Sequence, residues 1–185
     1  MKKILFSSIV ATTLLFANNS AQININNDTV EVSTDIYLEE SNNYYYFGSY
    51  LRTSNYGNTN TNSLLTVGIK VLNSYFDNNG GINYGFGIKG VYSNDYKKFF
   101  ATPLAIFANY TLDENIYFDA QLSYAPRVLS FKDALSYSDY SIKANYKIIE
   151  NGSIFIGYRN INKEFTNKVE IKYDKSIFAG YKVTF

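Results

Sequence analysis

Apolar and polar residues alternate one by one along most of this chain, and this period of two constrains its fold more than any other feature. The clearest alternating segments, in each of which one parity is apolar, span residues 30–38, 65–72, 82–93, 116–125, 140–148, 153–161 and 177–185. Because successive side chains of a β-strand point to opposite faces, the pattern predicts strands with one apolar face. No segment carries the 3.6-residue stripe of an amphipathic helix, so an all-β chain of about ten strands is predicted.

One segment, INYGFGIKGVYS at residues 82–93, contains Gly85, Gly87 and Gly90 in the G-x-G-x-x-G spacing of nucleotide-binding turns. That function requires a helix to open inside the motif, whereas the alternation continues to residue 93. The segment is therefore interpreted as one strand, with Gly85 and Gly87 leaving room on a polar inner face where Lys89 reaches an acidic partner. The opposite, apolar face carries Ile82, Tyr84, Phe86 and Ile88.

The first residues have the features of a secretory signal peptide. Lys2 and Lys3 precede an apolar run over residues 4–16, and small residues suited to cleavage follow at Ala17 and Ala21. The run is shorter than the roughly twenty apolar residues that a membrane-spanning helix needs. We predict a signal peptide over residues 1–21, with cleavage after Ala17 or Ala21, and one domain over residues 22–185.

Two missing residue types exclude several classes of protein. The 185 residues include no His and no Cys, so no imidazole base, His-activated nucleophile or His- or Cys-bound metal site can form. The 17 basic and 16 acidic residues are spread along the chain and offer no basic stripe for nucleic acid. We predict no catalytic residues, no metal, no cofactor and no nucleic-acid partner, and hence no enzyme.

The length of the alternating segments distinguishes between the two remaining all-β architectures. Several segments run nine to twelve residues, whereas strands of soluble sandwiches usually have about five or six and a tilted strand that crosses a bilayer needs about nine to eleven. The polar faces are rich in Gly, Ser, Asn and Thr with isolated charges, as a narrow barrel interior requires. The predicted fold is a closed, antiparallel, up-and-down transmembrane β-barrel whose apolar faces contact lipid.

The number of strands depends on the amino-terminal segments. Ten strands result if residues 22–26 form a short first strand, and eight result if some amino-terminal segments lie outside the closed sheet. Pro103 cannot donate a ladder hydrogen bond, so a bulge or the start of a strand is predicted near it.

The last strand carries a candidate assembly signal. Ile177, Ala179, Tyr181, Val183 and Phe185 share one parity. This resembles the carboxyl-terminal strand of Gram-negative outer-membrane proteins, in which the last aromatic residue belongs to the signal that assembly machinery reads. The resemblance implies a location in the outer membrane, with Tyr181, Val183 and Phe185 as the signal, and we predict a monomer. Its expected partners are outer-membrane lipid, lipopolysaccharide and the assembly machinery.

Turn lengths give an independent indication of orientation. The connections at 39–42, 77–81, 113–115 and 149–152 are short, and those at 53–62, 126–136 and 162–168 are mostly long. Outer-membrane barrels have short periplasmic turns and longer external loops, so the first set is predicted to be periplasmic and the second external. Two further external turns, 26–28 and 94–98, are shorter than this pattern requires.

The carboxyl-terminal part of the chain carries motifs of a known family. Tyr124 with Pro126, then Leu129-Ser130, then Gly157-Tyr158-Arg159 and finally Phe185 follow the order seen in the YfaZ family of outer-membrane proteins, which the chain resembles. The resemblance implies a small outer-membrane barrel. It carries no catalytic residue over to this chain.

Charged residues on the polar faces are predicted to meet inside the barrel. The acids are Glu31, Asp35, Asp119 and Asp139, and the bases are Lys70, Lys89, Lys143, Lys147, Arg159 and Lys182. Because buried charges persist by pairing, the first interpretation is a neutralising network in a largely plugged lumen, with an envelope structural or surface-interaction role. The excess of bases supports an alternative, a narrow, weakly anion-preferring, porin-like channel.

Two surface features complete the predictions. Residues 126–136 form the least strand-like segment. The favoured interpretation is a cap that packs Val128, Leu129 and Phe131 on the barrel rim, and the alternative is that the candidate residues form an external contact surface. These residues are Pro126, Arg127, Val128, Leu129 and Phe131. The run of Tyr44, Tyr45 and Tyr46 is interpreted as part of an aromatic girdle at the lipid headgroups.

Overall fold

The computed structural model describes residues 19–38, 43–54, 61–77, 80–94 and 97–185, most of which lie in antiparallel strands. The 12 strands are β1 (Ser20–Ile25), β2 (Thr29–Tyr37), β3 (Tyr44–Ser54), β4 (Thr61–Asp77), β5 (Gly80–Ser93), β6 (Phe99–Ala101), β7 (Leu104–Thr111), β8 (Ile116–Ala125), β9 (Ser130–Lys132), β10 (Ala134–Ile149), β11 (Gly152–Phe165) and β12 (Glu170–Thr184). A short 3₁₀ turn, Arg127–Leu129, lies between β8 and β9. Within these ranges, no helix is long and apolar enough to cross a membrane.

Ten of the strands close into a barrel. Each pairs antiparallel with its neighbours in chain order, and β12 returns to pair with β1 from Ser20 opposite Thr184 to Ile25 opposite Ala179. The ring consists of β1, β2, β3, β4, β5, β7, β8, β10, β11 and β12. The closed up-and-down barrel of ten strands is confirmed and the eight-strand alternative is wrong. The short first strand spans Ser20–Ile25 rather than 22–26.

The two short strands β6 and β9 lie outside the ring, at its rim. β6 pairs with the last residues of β5 and with β9. The backbone N–H of Lys89 donates to the Pro103 carbonyl at 3.2 Å. The hydrogen bonds along this edge of β5 therefore continue from β6 to β7. β7 begins at Leu104, which confirms the strand start predicted at the proline, because Pro103 has no N–H to donate.

The two ends of the barrel differ in their connections. At the proximal end, the backbones of Asn19 and Phe185 exchange two hydrogen bonds of 2.9 Å, and short turns lie at 112–115 and 150–151. The distal end holds the turns 26–28 and 166–169 and the two connections that contain β6 and β9. Among the described residues, those of the predicted periplasmic turns lie at the proximal end and those of the predicted external turns lie at the distal end. The predicted turn 39–42, parts of three others (55–60, 78–79 and 95–96) and the signal peptide up to residue 18 lie outside the described residues.

Two connections predicted to be long are largely strand. β10 begins at Ala134, inside the predicted loop 126–136, and β11 extends to Phe165, so only 166–169 remain as a turn. Lys163 and Phe165 lie in the predicted connection 162–168, but they continue the inward alternation of β11 and are buried. The barrel wall therefore rises higher at the distal end than the sequence pattern predicts.

The predicted faces of β5 are confirmed. Phe86 and Ile88 face outward, Phe86 with 68% of its surface exposed, whereas Lys89 faces inward and is buried. Gly85 also lies on the inner face, but a Cβ atom there would lie 1.8 Å from the Val71 carbonyl oxygen in β4. Glycine is therefore required by the close approach of two backbones. The predicted need for space inside the barrel is not the reason.

An apolar band with tyrosines at both edges surrounds the barrel. Its exposed aliphatic and phenylalanine residues include Val67, Ile69, Phe86, Ile88, Ile106, Leu122, Ile142, Ile156 and Ile177. The exposed tyrosines lie toward the proximal end at Tyr44, Tyr46, Tyr75, Tyr84, Tyr110 and Tyr146, and toward the distal end at Tyr50, Tyr92, Tyr124 and Tyr140. Bands of this kind match the hydrocarbon layer and its two interfaces.

An apolar cluster fills the distal end of the lumen. Phe99 and Phe165 are fully buried there with ring centroids 5.4 Å apart, and Tyr137 lies 6.1 Å from Phe99. Its buried members, most of them near the distal strand ends, are Leu51, Leu64, Val91, Phe99, Ala101, Ala125, Ala134, Tyr137, Ile161, Phe165 and Tyr173. The inner face thus changes from polar to apolar toward the distal end, which the sequence pattern did not predict.

Candidate functional site in the barrel lumen

A buried ion pair beside the apolar cluster joins two lumen walls that are not neighbours in the sheet. The Lys89 ammonium on β5 lies 2.7 Å from one carboxylate oxygen of Asp139 on β10, although β7 and β8 separate these strands in the ring. Gln121 donates a 3.0 Å hydrogen bond to the other oxygen, and the Tyr137 ring lies 5.7 Å from the ammonium. The structure therefore gives Lys89 an acidic partner across the lumen.

Arg159 on β11 is the centre of a second buried cluster. Its guanidinium forms ion pairs with Glu31 of β2 and Asp174 of β12. It also donates a 2.8 Å hydrogen bond to Thr29 and lies 4.9 Å from the Phe178 ring. A guanidinium suits this position because its five N–H donors lie in a fixed plane and can serve two carboxylates at once.

Asp174 is a lumen acid that the sequence pattern did not reveal. The predicted last strand begins at residue 177, whereas β12 begins at Glu170. The pairing of β12 with β11 shifts by one residue at a bulge, and as a result both Tyr173 and Asp174 are buried. A strict period of two cannot place a residue behind a bulge on the correct face.

Lys70 and Asp35 form a third ion pair, 2.8 Å long, between β4 and β2. The Lys70 ammonium also lies 5.2 Å from the Phe107 ring, 5.5 Å from the Phe47 ring and 5.6 Å from the Tyr45 ring. Aromatic faces attract a cation most strongly when water is excluded. The three rings therefore complement the carboxylate in holding this lysine inside the barrel.

The tyrosine run at the start of β3 divides between the two faces. Tyr44 and Tyr46 are exposed on the outside, as the girdle interpretation requires. Tyr45 lies between them in the chain, faces the lumen and packs at 5.1 Å against the Tyr37 ring. The girdle interpretation is therefore wrong for Tyr45, because adjacent residues of a strand point to opposite faces.

Lys143 and Asp119 lie side by side on β10 and β8 at 3.5 Å. Asp119 accepts further hydrogen bonds from Asn109 at 2.7 Å and from Asn145 at 3.0 Å. Lys143 also donates a 3.1 Å hydrogen bond to Gln22 of β1. With this pair, each of the four predicted lumen acids has a predicted base as its partner.

Two predicted lumen bases, Lys147 and Lys182, lie apart from these pairs at the proximal mouth. They flank Ser153 on neighbouring strands, and the Lys182 ammonium lies 5.8 Å from the Tyr117 ring. In the part of the chain that the structure describes, neither lysine forms an ion pair. The proximal mouth is therefore the most basic part of the lumen.

Lys163 is a buried lysine that was expected in an external loop. It lies within the apolar cluster, where its ammonium donates a 2.9 Å hydrogen bond to Ser93 and lies 4.1 Å from the Tyr173 ring. Arg159 and Ile161 precede it on the same inner face of β11. Extending their alternation by one step would have placed Lys163 inside the barrel.

A cavity of about 200 Å³ remains between the ion pairs. Its walls include Lys70, Lys89, Asp139 and Arg159, and the apolar cluster lies on its distal side. Taking such charges out of water is costly, so each depends on its partner and on further hydrogen bonds. The arrangement neutralises the interior and cross-links strands that are not neighbours in the sheet.

The candidate residues of the segment 126–136 divide between the two predicted roles. Leu129 packs against the apolar cluster, as a cap requires, and Pro126 is half-buried. The exposed members are Arg127, Val128 and Phe131. Val128 is 77% exposed, so the cap interpretation holds for Leu129 and is wrong for Val128. Phe131 meets it in part, because its ring lies 5.7 Å from the Phe100 ring but is 45% exposed.

The candidate assembly residues lie at the proximal edge of the seam between β1 and β12. Tyr181 is opposite Ile23 of β1, and Val183 is opposite Ala21. The Phe185 backbone pairs with Asn19. These residues therefore close the barrel with the first strand, in addition to any role as a signal.

The fold and the lumen together define a class of protein. An even number of antiparallel strands, a closed sheet, an apolar outer band and a charged interior are the features of β-barrels of the outer-membrane type. The chain belongs to the YfaZ family, since the model of the family described as YfaZ precursor matches residues 1–185, the whole chain. The family resemblance of the carboxyl-terminal motifs is thus confirmed. A search of curated proteins found no match.

Proposed function

We propose that this YfaZ family protein is a monomeric structural barrel of the Gram-negative outer membrane, with a closed lumen and no enzymatic activity. The description of the family as a precursor supports export, as does the predicted signal peptide. The long distal connections between β5 and β7 and between β8 and β10 support an orientation with this end outside and the short proximal turns in the periplasm. In this orientation Tyr181, Val183 and Phe185 lie where periplasmic assembly machinery can contact them.

The main evidence for a closed lumen is the apolar cluster at the distal end. Val91, Phe99 and Phe165 are fully buried in it, so an ion crossing this level would have to displace packed apolar side chains. On the proximal side, ion pairs such as Lys89–Asp139 connect strands that are not neighbours in the sheet. A conducting path would require both the cluster and these pairs to rearrange.

The distal surface supports a role in contact with other envelope components. Val128 and Phe131 are exposed there beside the exposed cations of Arg127 and Lys132. Apolar side chains on an external rim are typical of contact surfaces. We therefore assign the external end of the barrel to surface interaction and its wall to contact with outer-membrane lipid.

Single-channel recording in planar bilayers tests the closed lumen. Purified, refolded wild-type protein is expected to give no reproducible conductance steps. The double variant Phe99→Ala, Phe165→Ala lacks two rings of the cluster and is expected to give transient steps. Heat modifiability on a denaturing gel shows for each protein whether the barrel is folded, so that an absence of conductance caused by misfolding is recognised. Regular steps from the wild type would contradict the closed lumen.

A narrow, weakly anion-preferring channel is the second candidate function. The observation that favours it is the basic proximal mouth, where Lys147 and Lys182 flank Ser153. This candidate predicts wild-type steps whose reversal potential in a salt gradient shows anion preference. The preference should disappear in the double variant Lys147→Gln, Lys182→Gln, because it removes both mouth charges.

A further inference from the structure

The outward faces of β10, β11 and β12 change abruptly from apolar to polar. Ile142, Tyr158 and Ile177 lie opposite one another in one outward row. The next outward row toward the distal end consists of Tyr140, Asn160 and Lys175. A lysine cannot remain in hydrocarbon without a large cost, so this row marks the edge of the apolar band.

Two exposed lysines, Lys172 and Lys175, lie on this edge of β12. Their positions differ by three, which in a regular strand would place them on opposite faces. They face the same side because the extra residue at the bulge, Tyr173, shifts the alternation. Asn162 lies opposite Lys172, and Asn160 lies opposite Lys175. Ammonium and amide groups both donate hydrogen bonds, so the patch presents donors to a ligand at the membrane boundary.

The order of charges across this patch matches one kind of lipid. The lysines lie next to the apolar band, where the phosphate groups of a lipid would lie, and charged donors form short, strong hydrogen bonds to phosphate. Glu164 and Glu170 are opposite each other in the next row away from the band. Carboxylates can accept hydrogen bonds from sugar hydroxyls, which lie farther out than the phosphates in a phosphorylated glycolipid.

We propose that Lys172 and Lys175, together with Asn160, Asn162 and Tyr140, bind the phosphate groups of lipopolysaccharide in the outer leaflet. The Tyr140 hydroxyl lies 3.4 Å from the Asn160 amide nitrogen, so the phenol and the amide form one edge of the same site. The proposal rests on the proposed function, because it requires the distal end to face outward. It adds a defined lipid site on one side of the barrel.

Native mass spectrometry of the full barrel in detergent tests the site, with diphosphorylated lipid A, its dephosphorylated form and inorganic phosphate as probes. Wild-type protein is expected to bind the diphosphorylated form at least tenfold more tightly than the other two. The double variant Lys172→Gln, Lys175→Gln is expected to bind it about thirty-fold more weakly, because each lysine near an anionic lipid surface contributes about fivefold.

The double variant Lys98→Gln, Lys168→Gln is the matched control, since it removes two exposed charges from distal connections outside the patch. Its affinity should stay within twofold of the wild type. An equal loss in both double variants would show general charge attraction and overturn the site. Equal binding of dephosphorylated lipid, or tight binding of inorganic phosphate, would also overturn it.

The orientation on which the site rests is tested separately. The chain has no Cys, so a Val128→Cys variant carries one thiol at a position that is 77% exposed. An impermeant maleimide should label it on intact cells. Labelling without lipid binding would overturn the lipid site and leave the proposed orientation intact, whereas absence of labelling would overturn the orientation itself.

Discussion

The ammonium nitrogen of Lys89 lies 2.7 Å from a carboxylate oxygen of Asp139, and the two side chains are only 3% and 8% exposed. They come from β5 and β10, which are not neighbours in the sheet, so the pair crosses the lumen and fixes the distance between two walls. A buried pair of this kind contributes little net stability, but the loss of one partner leaves a charge that nothing compensates.

Replacing Asp139 with Asn is expected to lower the free energy of unfolding by about 3–5 kcal/mol, because it leaves the Lys89 charge buried without its carboxylate. The double variant Lys89→Met, Asp139→Leu should recover most of this loss. Urea unfolding in detergent micelles, followed by the gel shift of the folded barrel, measures both. Lys98→Met, at an exposed position, is the control. A double variant as unstable as the single one would contradict the explanation.

Gly85→Ala is expected to destabilise the barrel by about 1–3 kcal/mol or more, as overpacking does. The added methyl group would lie 1.8 Å from the Val71 carbonyl oxygen, whereas at Gly90 the nearest atom would be 3.6 Å away on the Phe100 ring. Gly90→Ala is therefore a matched control in the same strand and should be close to neutral. The same unfolding measurement compares the two, and equal costs would refute the close-approach argument.

Phe86→Arg is expected to impair membrane insertion, because a cation near the middle of the lipid-facing band costs about 2–4 kcal/mol. The fraction of refolded protein that becomes heat-modifiable in lipid vesicles measures this effect. Val128→Arg places the same charge at an exposed distal position and should insert like the wild type. Normal insertion of the Phe86 variant would mean that the two faces of β5 have been assigned the wrong way round.

Phe165→Ala is expected to cost about 3–5 kcal/mol of stability, because it leaves a cavity in the distal cluster. Phe131→Ala removes the same ring from a side chain that is 45% exposed and should cost clearly less. Thermal unfolding in micelles distinguishes the two variants. Similar midpoints would show that the distal cluster is packed no better than the outer surface.

Processing after Ala17 is expected rather than after Ala21, so that the mature protein begins at Asn18. Cleavage after Ala21 would remove Asn19, which exchanges two backbone hydrogen bonds with Phe185, and two residues that pair with both β2 and β12. The intact mass of protein extracted from outer membranes decides between the sites. A mature chain that begins at Gln22 would contradict this prediction.

Much of the wall could be predicted from the sequence because the inside and outside of a barrel strand are chemically different. Phe86 and Lys89 are only three positions apart, yet their opposite faces follow directly from the alternation. The same reasoning placed Asp35, Asp119 and Asp139 inside. It failed where the pattern is interrupted, at the bulge beside Asp174, and at the distal strand ends, where Lys163 was expected in a loop.

The sequence by itself therefore determined the class of fold, the sidedness of the strands and the presence of paired charges, because these depend on the period of residues near one another in the chain. Only the tertiary structure decided which acid meets which base, as with Lys89 and Asp139, since the partners lie on strands far apart in sequence and their register depends on closure. It also decided that the distal lumen is apolar. Phe99, Tyr137 and Phe165 come from three different strands, and only the closed barrel brings their rings together.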